Sequence, residues 1–108
     1  MNFMKIMQQA KDMQKKMAEL QERAGSFLVT GVAGNGLVEV VMTCKGVVQS
    51  VTIKPEAIDP SDQTMVEDLV KTAVNNARVR ADDTLAEETR KMMKDMGLPE
   101  NMQLPGGF

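Results

Sequence analysis

The chain has no histidine, no tryptophan and no tyrosine, and one cysteine among its 108 residues. Without histidine, no side chain has an unperturbed pKa near neutrality, which excludes the ordinary nucleophilic triads and imidazole general bases. A lone cysteine, Cys44, excludes an intrachain disulfide and a Cys/His zinc centre, and such usage fits a reducing compartment. Cys44 closes an apolar alternating run and reads as an inert buried thiol, with a reactive thiol as the alternative. Neighbouring carboxylates such as Asp82 and Asp83 would point about 100° apart on a helix, a poor arrangement for shared acid–base work. No catalytic residue, cofactor, metal or small-molecule substrate is therefore expected, and the chain does not read as an enzyme.

Long apolar runs are missing too. None approaches the roughly 20 residues of a membrane span, and Met1-Asn2-Phe3-Met4-Lys5 opens an amphipathic helix in place of a secretory signal. The expectation is a cytoplasmic protein with no membrane partner. Aromatic residues are 3% of the chain, yet apolar residues reach 43%, which places it among globular proteins of one domain.

The net charge of −2 offers little to a polyanion, but its distribution is uneven. Residues 1–24 carry Lys5, Lys11, Lys15, Lys16 and Arg23 against Asp12, Glu19 and Glu22, a balance of +2. Residues 25–55 add Lys45 and Lys54 against Glu39, so the remaining 53 residues hold −5. Only the first half can form a basic footprint.

Apolar periodicity divides the chain. Phe3, Ile6, Ala10, Met13, Met17, Leu20 and Ala24 recur in steps of three and four, with Met4 and Met7 widening the stripe, and predict a helix over 2–24 ended by a left-handed Gly25. The period then falls to two. Phe27 and Val29, then Val38, Val40, Met42 and Cys44, then Val47, Gln49, Val51 and Ile53 predict a three-stranded antiparallel meander over 26–54. Gly34-Asn35-Gly36 and Lys45-Gly46 supply its turns. The opposite face carries Leu28, Val32, Leu37, Val41 and Val48, more apolar surface than a solvated face needs.

Asp59-Pro60-Ser61-Asp62 reads as a helix start, with Asp59 as cap and Pro60 in the first position. Helical spacing through Val66, Leu69, Val70, Ala73, Ala77, Ala81, Leu85, Met92 and Met96 predicts a helix over 60–96 and a tail over 97–108. The fold class is thus α+β. About 35 helical residues at ~1.5 Å each make a rod of about 50 Å, which a three-stranded sheet cannot cover. The overhang is expected to find cover in an identical chain, with Leu28, Val32, Leu37, Val41, Val48, Leu85 and Met92 as candidate interface residues. The methionine stripe suits core, dimer contact or a binding surface.

The segments MQQAKDMQKKMAELQERAGSFLVTG (Met7–Gly31), GNGLVEV (Gly34–Val40), VTIKP (Val51–Pro55) and VEDLVKTAVNNA (Val66–Ala77), with the ending NMQLPGGF (Asn101–Phe108), resemble the YbaB/EbfC family of bacterial nucleoid-associated proteins. The resemblance covers nearly the whole chain in order. It implies a tweezer-like homodimer whose helices project from a central sheet and bind double-stranded DNA in the nucleoid, organising it or influencing expression. Carried onto matching positions, DNA contact would fall on Lys5, Lys11, Lys15, Lys16 and Arg23 of the first helix and on Arg78, Arg80, Arg90, Lys91 and Lys94 of the last. Asp12, Glu19, Glu22, Asp82, Asp83, Glu87 and Glu88 interrupt both sets, as on an ordinary solvated face. Two departures stand out. Asn75-Asn76-Ala77 occupies a place where Asn-Asp-Ala is common, and the ending lacks the basic extension of some relatives, which weakens the case for DNA contact by the C-terminus. The competing reading is a protein-interaction module that uses the methionine-rich helix faces and touches DNA incidentally.

Overall fold

In the computed structural model, which describes residues 2–98, the chain is a helix, a meander and a second, longer helix. Helix α1 (Phe3–Ala24) begins where the Asn2 carboxamide oxygen accepts the Met4 N–H at 3.0 Å. Its end differs from expectation. Gly25 keeps a right-handed backbone (φ −69°), and Ser26 closes the helix by donating its N–H and hydroxyl to the Arg23 carbonyl at 2.8 and 2.7 Å.

Strands β1 (Leu28–Ala33), β2 (Val38–Thr43) and β3 (Val48–Ile53) form an antiparallel sheet in that order. The first turn takes three successive positive-φ residues, Gly34, Asn35 and Gly36, which explains its composition. At the second turn the Thr43 hydroxyl accepts the N–H groups of Lys45 and Val47.

A bulge corrects the expected alternation of β3. Val41 pairs with Ser50 and Met42 with Val48, so Gln49 has no partner of its own. Val48 therefore shares the face of Met42, with Val51 and Ile53, and does not belong with Leu28 and Val32 on the opposite face.

Helix α2 (Gln63–Asp95) starts three residues later than Pro60. Asp59 caps the preceding turn, accepting the N–H and hydroxyl of Ser61 at 2.9 and 2.7 Å, while Asp62 caps the helix by accepting the Met65 N–H at 3.3 Å. The expected tail lies outside the described residues from Pro99 onward.

Helix α2 lies across β1 and β2 and leaves β3 exposed except at Ile53. Ala73, Ala77 and Ala81 are fully buried in the contact. A Cβ on Gly31 would stand 2.2 Å from the Ala73 carbonyl oxygen and 2.3 Å from the Ala77 nitrogen, so the helix backbone rests directly on the strand. Around this contact pack Ala33, Val38, Val40 and Met42, with Val29, Ile53, Leu69 and Val70 at the margin. A second cluster joins Ala24 of α1, Cys44, Ala81 and Leu85. Leu85, expected at a dimer interface, is thus core of its own chain.

Met93, not Met92, is the buried methionine of the last turns. The buried row advances in steps of four through Ala73, Ala77, Ala81 and Leu85 and, past half-buried Thr89, to Met93, and such a row rotates about 40° per step on a 3.6-residue helix. The covered face winds from the sheet toward α1, which a straight stripe of threes and fours does not follow.

Both helices outreach the sheet. The described chain extends over 70 × 21 × 19 Å with a radius of gyration of 19.0 Å, whereas a compact domain of this length has about 13 Å.

Gly31→Ala is expected to lose at least about 2 kcal/mol of stability, because its methyl meets backbone that cannot step aside. Urea unfolding measures this as a lower midpoint at unchanged slope; an unshifted midpoint would refute the close approach.

Candidate nucleic-acid interface

Two helical arms form the candidate site. Helices α1 and α2 run antiparallel from the sheet, with Ala24 beside Ala81 and Leu85, and Arg23 facing Glu88 at 3.7 Å. One turn further out, Leu20, Met92 and Met96 floor a groove of about 410 Å³ rimmed by Lys16, Arg23, Lys91 and carboxylates. Met92 is thus half-buried between the arms. Past that groove Met96 borders Gln9 and Asp12, and the first turns of α1 continue beyond it.

The ten expected DNA contacts are all exposed, but they are not equivalent. Four have carboxylate partners. Lys16 pairs with Glu19 at 3.8 Å, Arg78 with Asp82 at 3.4 Å, and Lys91 with Glu88 at 3.5 Å and Glu87 at 3.8 Å. Arg23, already paired with Glu88, also lies 5.5 Å above the centre of the Phe27 ring. Lys5, Lys11 and Lys15 on α1, and Arg80, Arg90 and Lys94 on α2, have no ion-pair partner among the described residues. Arg80 stands apart from the outer arm, beside Leu28 and Thr30 at the free edge of β1.

Lys45, absent from the expected set, joins Arg78 and Asp82 around a hollow over Cys44. Its position in the second hairpin turn gave no hint of this, since the neighbours come from a helix more than thirty residues away in sequence.

The same hollow answers the question about the thiol. Cys44 is buried, and its N–H donates to the carbonyls of Ala24 and Phe27 at 3.1 and 2.9 Å. Burial first, and the Glu88 carboxylate second, push the thiol above its usual ionisation range. It stays protonated and unreactive at neutral pH. Among the described residues no helix is long and apolar enough to cross a membrane.

A comparison of the whole sequence with known families bears on what these arms are for. Residues 1–96 match the YbaB/EbfC DNA-binding family. The chain belongs to that family. It is 39% identical over 104 residues to a nucleoid-associated protein of Rickettsia felis, covering 96% of this chain and 97% of the relative. A nucleoid-associated protein of Bartonella tribocorum is 34% identical over 103 residues, covering 95% of this chain and 96% of the relative. The fold recurs in the crystal structure of an uncharacterized protein from Helicobacter pylori, with a TM-score of 0.71 at 18% identity over 86% of this chain and 98% of that one. The helix, meander and long helix expected from the sequence are thus an arrangement this chain shares with a solved structure.

Alkylation of Cys44 at pH 8 is expected to be at least about tenfold slower in the folded chain than in denaturant, since only the thiolate reacts. The unfolded thiol loses its proton first, so stability should fall as pH rises above about 8.5. Equal alkylation rates in the two states would contradict the burial.

Proposed function

We propose that the protein is a nucleoid-associated protein that binds double-stranded DNA through the phosphate backbone, working as a homodimer in the nucleoid of the cytoplasm. Family membership supplies the DNA. The observation that carries the interface is that Lys5, Lys11 and Lys15, on the arm that projects from the sheet, have no ion-pair partner among the described residues. A cation not held in an ion pair exchanges only water and counterions for a phosphate, whereas a paired one must first give up its partner. Arg90 and Lys94 offer the same on the outer half of α2. Phosphate contacts of this kind fix position and carry little sequence information.

The dimer rests on the bare strand. Val48 and Val51 are 43% and 46% exposed at the β3 end of the face on which α2 packs, beyond the helix, and β3 presents an unpaired strand edge. Each such side chain gains about 1.5–3 kcal/mol when buried, and a two-fold copy is the simplest cover. Leu28 and Val32 on the other face are the second exposed apolar group. Doubling the chain doubles the arms, which lets a duplex be held from two sides.

Reversing Lys11 and Lys15 to glutamate is expected to abolish retardation of a random duplex. The corresponding alanines should lower the slope of log affinity against log salt by about one for each lysine. Affinity that does not change with salt would rule out phosphate contact. In light scattering, the wild type should have twice the chain mass at micromolar concentration and Val51→Asp one chain mass. A monomeric wild type with intact helices would remove the dimer.

A further inference from the structure

The outermost two turns of α1 carry an unusual surface for a phosphate-binding arm. Phe3 and Met4 are 73% and 76% exposed, and Ile6 and Met7 are 46% and 47% exposed. They lie beyond the hollow where Met96 meets Gln9 and Asp12, so none of the described part of α2 reaches them. No carboxylate occurs from Phe3 to Lys11, while Lys5 stands on the reverse of this helix face and Lys11 follows Met7 on the same face, one turn further in. Helical side chains lean toward the N-terminus, so Phe3 and Met4 point toward the outer end of the arm. The tip is therefore an apolar point with cations behind and beneath it.

Resting on the DNA-binding reading above, we propose that this tip is a wedge that enters the minor groove, partly unstacks one base step and bends the duplex. Charge selects the occupant. A second tip would bring Lys5 and Lys11 against their own copies, whereas the groove is walled by phosphates on both sides and offers base faces to an apolar side chain between them. Phenylalanine, isoleucine and methionine are among the side chains that architectural proteins insert in this way. An arm that met phosphates alone would have no use for four apolar groups at its end. The lysines place the tip, and Phe3 and Met4 deform the step. Flexible pyrimidine–purine steps yield more readily than stiff A-tracts, so a preference among sequences arises without any base-edge hydrogen bond.

The test uses the full chain and an end-labelled duplex of about 30 base pairs with a central TpA step, read by energy transfer between its ends and by retardation. Wild type should raise the energy transfer at saturation, and raise it less on a duplex with an A-tract at its centre. Phe3→Ala/Met4→Ala should retain retardation within a few-fold and lose the rise in energy transfer; circular dichroism confirms the helix. Retardation by the wild type without any rise in transfer would overturn the wedge and leave phosphate binding standing. So would an unchanged rise in the double variant, or a double variant that bends DNA normally but loses mass in light scattering, which would give the tip to a second copy. Failure of the wild type to retard any duplex would instead overturn the DNA-binding reading itself.

Discussion

The architecture depends on one close approach. Helix α2 crosses β1 with its backbone against the α-carbon of Gly31, because Ala73 and Ala77 keep the helix face thin where the strand has no side chain. Large residues on either side would hold the two apart and open space that the small core could not fill. The approach also brings Asn76 close enough to donate its amide to the Val32 carbonyl at 2.9 Å, covering one acceptor at the free edge of β1. An aspartate at this position has no N–H to donate, so the asparagine variation in this chain is tied to the edge it covers.

A narrow contact has a consequence for everything around it. A helix seated this deeply over β1 cannot also span the sheet to β3, and its 33 residues run far past the strands. The surplus length joins α1 through Ala24 and Leu85, and further out through Leu20, Met92 and Met96, and forms the arm. The bare strand and the projecting arm are thus two results of the same placement. One leaves apolar surface for another chain, and the other carries cations away from the acidic body.

The charge pattern on the arms is layered. Near the sheet, Arg23 and Lys91 share Glu88, which also raises the Cys44 thiol. Exposed pairs of this kind contribute about 0–1 kcal/mol each, enough to orient side chains without locking them. Toward the tip the carboxylates thin out, and from Phe3 to Lys11 there is none. The change from paired to unpaired cations along α1 is what turns a solvated helix face into a graded attraction for a polyanion. Net charge conceals it, since the acids gather on the other half of the chain.

Local signals in the sequence determined the elements and their order. Steps of three and four made α1 and α2 recognisable, alternation marked the strands, and Gly34-Asn35-Gly36 demanded a tight turn because three successive residues take positive φ. The composition also set Cys44 in an apolar run, and the order of segments pointed to the family. Other features needed the assembled fold. The bulge at Gln49 moved Val48 to the other face, the winding row buried Met93 in preference to Met92, and Leu85 became core. The division of ten candidate cations into paired and unpaired sets, and the arrival of Lys45 beside Arg78, belong to the same class. Periodicity reports how a backbone repeats along its own axis. What covers a face, and which charge stands beside which, is decided by how far one element sits from another, and here the missing side chain of Gly31 sets that distance.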